Sequence, residues 1–496
     1  MTELGVLGAS ASVLTLAVIG WATGGYGGAA IGTVIGLALF AVPWRGQPAW
    51  VWAMLRAKRY RHAERAVPTT VANDRSGGGV RYQDGVVITA IQVLGRAHRA
   101  TLLIGSTMSQ TDNTLEIPGL LTILKHNLGM PFQSVSVVSA GSRRRCNGDF
   151  PRVYDTFIGT SPYAGQRETW LVLRINACDS AESLQWRATA GTAALAATQR
   201  VAAAMSCAGI RARVATATEI VDLDRQLGSS ALETPGSRWH SLRGEDGWLT
   251  SYGYDAARLS TDALMMPWSL RVDGVVQNVT LFPDATVTAT VTIRTPQPPT
   301  VAPNTALQTF AGQQDPLLRG QLCEPLPRVR GLSRAQLPSA LSVPIGSSGV
   351  LLGKVSIGDR LLLPLDDPFG HSHVHLAVDD SIAKRILIRA AAAGGQVTVH
   401  TTDPNRWSSV RMPNVVVTDL TRPATGTTIS VIDGTVAPSP RPATVLSVAP
   451  GPADVVITQT GPATVEISAA GRVHDVEMEF FRAENRYAPA EPVPAR

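Results

Sequence analysis

The stretch that decides the architecture is LGVLGASASVLTLAVIGWAT (Leu4–Thr23), followed by GGYGG (Gly24–Gly28) and AAIGTVIGLALFAVPW (Ala29–Trp44). Before Arg45 the only charged residue is Glu3. About 20 apolar residues cross a hydrocarbon core of roughly 30 Å, and the second stretch is just long enough to cross as well. The pattern predicts a transmembrane hairpin over 1–48, with spans at about 4–23 and 29–44 and a short outer turn. A cleaved signal peptide needs a positive start and a single shorter apolar core. The start here is Met1-Thr2-Glu3, and two apolar stretches stand in tandem. A buried hairpin in a soluble protein is the remaining alternative.

Working outward, the flank of the second span is basic: Arg45, Arg56, Lys58, Arg59, Arg61 and Arg65, against Glu64. Positive flanks stay in the cytoplasm, so both termini and the body are expected on the cytosolic side. Trp44, Trp50, Trp52 and Tyr60 suit the headgroup belt. The segment 49–66 is expected as a basic juxtamembrane helix on the bilayer surface, the alternative being the first helix of the soluble body. Arg45, Trp50, Trp52, Arg56, Lys58, Arg59 and Arg61 are its candidate anchor residues. The chain carries 44 Lys and Arg against 38 Asp and Glu, and four of the six net positive charges fall in residues 1–66. The charge therefore reports topology more than an anionic ligand. Gly24, Gly28, Gly32 and Gly36 recur every fourth residue, a spacing that places small residues on one helix face and admits another backbone; they are the candidate packing residues.

Beyond residue 66 no stretch approaches membrane length. Four prolines in RTPQPPTVAP (Arg294–Pro303) mark a break, so the expected division is a domain at 67–293, a Pro-rich linker at 294–340, a second subdomain at 341–486 and a Pro/Ala tail at 487–496. In the first, VRYQDGVVITAIQVL (Val80–Leu94) reads as a hairpin turning at Asp84-Gly85, TWLVLRI (Thr169–Ile175) as a buried strand, and 181–208 as one long Ala-rich helix stopped by Gly209. In the second, Val374–Val378, a helix Ile382–Ala393 capped by Asp380 or Ser381, and strands at Val397–His400, Val415–Thr418, Ile429–Ile432 and Val455–Thr458 read as a small doubly wound sheet. The expected fold is thus an N-terminal two-helix transmembrane hairpin followed by an α/β or α+β cytosolic region in two layered subdomains.

Chemistry is sparse. SGVLLGKV (Ser348–Val355) has serine where a phosphate loop needs its first glycine and valine where it needs a hydroxyl, and it reads better as a hairpin. ISVIDG (Ile429–Gly434) ends a strand on Asp433, as a magnesium-holding aspartate does, but no partner loop accompanies it and a turn residue is the simpler reading. His371, His373 and His375 alternate, so an extended chain places all three imidazoles on one face, as metal ligands require; a place at the mouth of a strand is the alternative. Cys146, Cys178, Cys207 and Cys323 form no CxxC pair and are expected as free thiols. Arg143–Arg145 is too short and isolated for nucleic-acid binding. No cofactor is expected.

Several stretches taken in order resemble EccE, a membrane component of the type VII (ESX) secretion systems of mycobacteria. They are the double apolar span, GVRYQDG (Gly79–Gly85), QRETWLVLR (Gln166–Arg174), the Ala-rich helix to Ala208-Gly209-Ile210, Trp239–Arg243, Trp248–Tyr254, Leu259–Thr261, Trp268–Leu270 and RTPQPP (Arg294–Pro299). Leu341–Leu365 and Ile382–His400 resemble the longer members. The resemblance implies a non-enzymatic, structural subunit at the periphery of an inner-membrane complex with EccB, EccC and EccD. Energy would come from the EccC ATPases and proteolysis from the mycosin protease. The alternative class is a membrane-tethered enzyme acting on a nucleotide-activated or lipid-linked substrate.

Overall fold

The computed structural model describes residues 3–41, 43–44, 47–48, 51–52, 65–72, 77–124, 129–143, 149–233, 239–367 and 369–488. The chain forms two compact units, Met1–Glu64 with Phe310–Asp315, and Arg65–Thr309 with Pro316–Arg496.

The first unit opens with a helical run, Glu3–Ala41, whose only non-helical residues are Gly24 (φ −146°, ψ 20°) and Gly25 (φ 59°, ψ −145°). The break is therefore confined to two of the five residues expected as a turn, and Gly25 takes a positive φ that other residues resist. The run also stops earlier than the sequence implied. Pro43, which lacks an N–H for a helix to use, starts a two-residue strand in which Trp44 pairs with Gln47.

The second unit holds two twelve-stranded sheets. In the first, Leu242–Gly244, Gly247–Tyr254, Thr286–Thr295, Gly274–Leu281, Phe132–Ser142, Gln166–Asn176, Val86–Leu94, Gly77–Gln83 and Thr69–Ala72 lie side by side, and every pairing is antiparallel. The Asp84-Gly85 turn forms as the sequence predicts, with φ of 51° and 78°, the positive-φ pair of a tight hairpin. Both faces are covered. On one, the helix Ala190–Cys207 packs Leu195, Val201 and Met205 with Ile91, Leu171 and Leu173. On the other, the helix Ala217–Gln226 packs Ile220 and Leu223 with Ile88, Trp170 and Val172. Burial from both sides explains why Thr169–Ile175 reads as an unbroken apolar run rather than an alternating one. The helix expected over 181–208 is two, Ala181–Leu184 and Ala190–Cys207. Thr189 restarts it by accepting a hydrogen bond from the Thr192 N–H at 3.1 Å.

Part of the stretch expected as a linker is core. Leu318, Leu322 and Cys323 complete the second face of the first sheet. The fully buried Arg174 holds them there: its guanidinium donates to the carbonyls of Glu324 (2.6 Å), Leu322 (2.9 Å) and Gly320 (3.2 Å) and to Ser136 Oγ (2.7 Å). Arg81 adds an ion pair to Asp224 at 2.6 Å, and Asp224 in turn accepts from the Cys323 N–H at 2.8 Å. Burial, with Asp224 beside it, pushes the Cys323 thiol well above its ordinary pKa.

The second sheet is mixed. Val415–Thr418, Val397–Thr401, Ile429–Asp433, Thr444–Ser447, Ser372–Ala377 and Val455–Gln459 are parallel neighbours in that order. Antiparallel strands extend it through Thr464–Ala469, Arg472–Glu477 and the hairpin Val350–Ser356 with Asp359–Leu363. The last two strands, Thr101–Ile104 and Met108–Thr111, come from far ahead of the linker. So does the helix Phe150–Ile158, whose Phe150, Tyr154 and Ile158 belong to the second core. In return Leu341, Val343 and Ile345 enter the first. One long helix, Asp380–Ala393, serves the parallel strands. Its cap position is Asp379, one residue before the expected Asp380 or Ser381. The doubly wound expectation thus holds for the strands and not for the helices, because 419–428 and 434–443 are rich in Pro, Gly and Thr, and 402–414, with prolines at 404 and 413, forms only the short turn Pro404–Trp407.

The buried pair Arg389–Glu484 ties this helix to the chain end, Nε to Oε1 at 2.6 Å and Nη2 to Oε2 at 2.9 Å. Both side chains are 0% exposed. Glu484→Ala strands the guanidinium, and its unfolding free energy in urea should fall by about 3–5 kcal/mol; a loss under ~1 kcal/mol would mean that backbone carbonyls alone satisfy Arg389.

Candidate functional site

Glycine governs the N-terminal helical run. A Cβ on Gly28 would collide with the carbonyl of Gly20, one on Gly32 with that of Leu16, and one on Gly36 would stand 3.0 Å from Val13 Cα. Three of the four glycines in the every-fourth series therefore lie where backbone meets backbone. Gly24 lies in the break, with nothing within 4 Å of a Cβ built there. Gly20 continues the same series one step earlier, a signal the spacing carried and the reading above passed over. Outward, Leu14, Val18, Ile19, Trp21, Ile31 and Val34 are more than half exposed. Hydroxyls turn inward: Thr23 donates to Ile19 O at 3.1 Å and Thr33 to Ala29 O at 2.9 Å, so neither needs water. Val13–Ala38 is long and apolar enough to cross a membrane. Of the anchor residues, Trp52 is partly buried; Arg45, Trp50, Arg56, Lys58, Arg59 and Arg61 lie outside the described residues.

Open α/β sheets bind ligands at the carboxyl ends of their parallel strands, which makes Ser372–Ala377, Val397–Thr401 and Ile429–Asp433 the place to look for chemistry. Only Val378 and Asp379 separate the first of these from the helix Asp380–Ala393, leaving no room for a glycine loop around phosphate. The side chain of Asp379 is engaged by Gln459, whose Nε2 donates to it at 2.8 Å. Arg406 lies between Asp380 and Asp433: its Nε donates to Asp380 Oδ2 at 2.8 Å and its terminal nitrogens pair with both carboxylates. Asp433 Oδ2 accepts from the Trp407 indole at 2.6 Å and from the Thr401 hydroxyl at 3.2 Å. Hydrogen bonds from Arg406 hold the Asp380 carboxyl below its usual range. Asp433, read from sequence as a turn residue, is a buried strand-end acceptor in this closed network. Ser348–Val355 belongs to an antiparallel hairpin, as its sequence implied.

The metal-ligand face proposed for the histidines is not assembled. His373 Nδ1 meets the Pro452 carbonyl, His375 Nδ1 lies 3.2 Å from the Ser447 carbonyl, and His371 precedes the strand, exposed. Among the described residues no three His, Cys, Asp or Glu side chains gather as a metal site. What sequence reasoning missed is the set of buried arginines, Arg81, Arg143, Arg167, Arg174, Arg385 and Arg389. The available signal was an arginine inside a strongly apolar run, as in TWLVLRI and IAKRILIRAAAA.

Comparison with known proteins places these features in a family. Residues 163–254 match the family model described as type VII ESX secretion system translocon, EccE. Over 97% of this chain and 95% of its own length, the ESX-2 secretion system protein EccE2 of Mycobacterium tuberculosis is 46% identical. The ESX-1 secretion system protein EccE1 of the same species is 28% identical over 71% of this chain and 72% of its own. EccE1 of Mycolicibacterium smegmatis is 27% identical over 71% of each. With nearly half of its residues identical to one such protein along almost its whole length, the chain belongs to the EccE family of type VII secretion proteins.

Proposed function

We propose that this protein is a structural subunit of an ESX-2-type secretion complex in the inner membrane, anchored as a two-pass hairpin with both termini and the body cytosolic. The observation that carries the reading is the 46% identity to EccE2 over 97% of the chain, against 28% to EccE1. Support for the hairpin comes from the close approach of Gly28, Gly32 and Gly36 to Gly20, Leu16 and Val13 around the Gly24-Gly25 break. Support for the orientation comes from the six Arg and Lys residues that follow the apolar run, which the positive-inside rule keeps in the cytoplasm. The partners are the other membrane components of that complex, EccB, EccC and EccD, together with the mycosin. Against a tethered enzyme stands the ion-paired carboxyl edge of the second sheet, where substrate phosphates would otherwise bind.

Gentle detergent extraction of the membrane should recover the chain together with EccB, EccC and EccD; recovery as a lone monomer would sink the assignment. Topology is read with thiols. In spheroplasts of a Tyr26→Cys strain, a membrane-impermeant maleimide should label the new cysteine from outside, and the exposed Cys178 and Cys207 only after permeabilisation. The reverse pattern would invert the orientation. A Val13→Cys, Gly36→Cys pair should oxidise to an intrachain disulfide in membranes, since the two Cβ positions lie 3.3 Å apart; failure to cross-link would remove the hairpin.

A further inference from the structure

The junction of the two sheets encloses a cavity of about 420 Å³ that the anchoring and docking role does not use. Arg167 lines it. This residue begins the central strand Gln166–Asn176 and is 8% exposed. Its Nε donates to the Gly346 carbonyl at 2.7 Å, and its guanidinium carbon lies 4.9 Å from the Trp268 ring.

No carboxylate pairs with Arg167 among the described residues, and a single carbonyl takes its place. Arg81 has Asp224, Arg143 has Asp155 and Arg389 has Glu484, at 2.6, 2.7 and 2.6 Å. Arg174, without a direct acid partner, spends its donors on three carbonyls and a hydroxyl. Among the described residues Arg167 has one carbonyl acceptor, for Nε, and none for its two terminal amino groups. The ring it stacks on is equally short of one: the Trp268 indole N–H is buried with no acceptor. Burial alone pulls the Arg167 pKa down to about 9. A largely buried cation without an acid partner is stabilised by an anion that restores its lost solvation. The rest of the lining leaves space, with Gly346 and Ser347 on the turn before Val350. It also bears on the choice of anion. Glu168, Asp273 and Asp366 line the same cavity, with Arg96 and Arg294; the three acids disfavour a phosphate dianion more than a single planar carboxylate, which a guanidinium grips with two parallel hydrogen bonds.

We propose that this cavity is a binding site for a carboxylate-bearing ligand, gripped by the terminal amino groups of Arg167. Two sources share that chemistry, a small organic acid and the C-terminal carboxylate of a peptide. The cavity falls within the range of small-ligand pockets.

The test uses the full chain in detergent micelles and measures thermal shift and titration calorimetry with four probes: succinate, inorganic phosphate, a Gly-Ala-Ala tripeptide and the same tripeptide as its C-terminal amide. Succinate or the free-acid tripeptide should stabilise the protein in proportion to the logarithm of its concentration, the two arms telling small acid from peptide. The amide and phosphate should bind at least about tenfold more weakly. Arg167→Gln should abolish the shift. Because that variant also loses the Gly346 hydrogen bond, Ser347→Phe serves as a second, filling the cavity while leaving Arg167 in place, and it should abolish the shift with the unliganded melting temperature kept. Binding of phosphate in preference to either carboxylate, equal binding of acid and amide, no shift at 10 mM of any probe, or a shift that survives both substitutions would each overturn the proposal. None of these results depends on whether the chain co-purifies with ESX components.

Discussion

The guanidinium of Arg174 is the cross-link on which the first sheet depends. A strand covered on both faces offers nowhere for a charge to meet water, so this side chain is tolerable only because each of its three nitrogens donates to a carbonyl or hydroxyl. The acceptors that satisfy it, Gly320, Leu322 and Glu324, lie in the stretch between the two sheets. Holding that stretch in place positions Glu324, whose carboxylate pairs with Arg65 at 2.7 Å and Arg319 at 2.8 Å. Arg65 is where the body begins. One buried arginine thus sets the cover of a sheet, the course of the connecting segment and the point at which the chain enters its body.

The two sheets are separate in their cores and interlaced in their chain. Strands Thr101–Ile104 and Met108–Thr111 leave the first to finish the second, and Leu341, Val343 and Ile345 return to the first. Polar contacts follow the same seam: Gln166 Nε2 donates to Gly394 O at 2.9 Å, and Ala164 and Ser348 exchange hydrogen bonds of 3.1 and 2.8 Å. Unfolding either sheet strips packing from the core of the other. That is a useful property for a subunit proposed to carry load between a membrane anchor and cytosolic partners.

Local features were legible in the sequence. The Asp84-Gly85 turn, the doubly covered strand at Thr169–Ile175, the stop at Gly209 and the strands of the parallel sheet each rest on a period or a turn residue within a few positions. The features that escaped are those whose cause lies far along the chain. Nothing in TLLI (Thr101–Ile104) names Asp359–Leu363 as its partner. The prolines of the supposed linker disguise Leu318 and Leu322, which are buried because Arg174 pulls the surrounding carbonyls onto the sheet. The histidines misled for a related reason. Alternation placed His373 and His375 on one face, but the Pro452 and Ser447 carbonyls only orient the two rings through Nδ1, and among the described residues no third His, Cys, Asp or Glu side chain joins them.

The parallel sheet raises the sharper question of what meets the electrostatic demand at the edge where such folds bind phosphate. A helix that starts just after a parallel strand presents a positive dipole end, and in nucleotide-binding proteins a phosphate answers it. In this chain Asp380 answers it from within, and Arg406 answers Asp380 and Asp433 together. The electrostatic demand that draws a nucleotide is therefore met inside the protein. A phosphate entering would have to displace Arg406 from two carboxylates and then sit beside them, with like-charge repulsion on both sides. The arrangement keeps the geometry of a ligand-binding sheet while removing the reason for a ligand to bind at that edge. This is why the weight of the proposed function falls on the anchor and on surfaces rather than on catalysis.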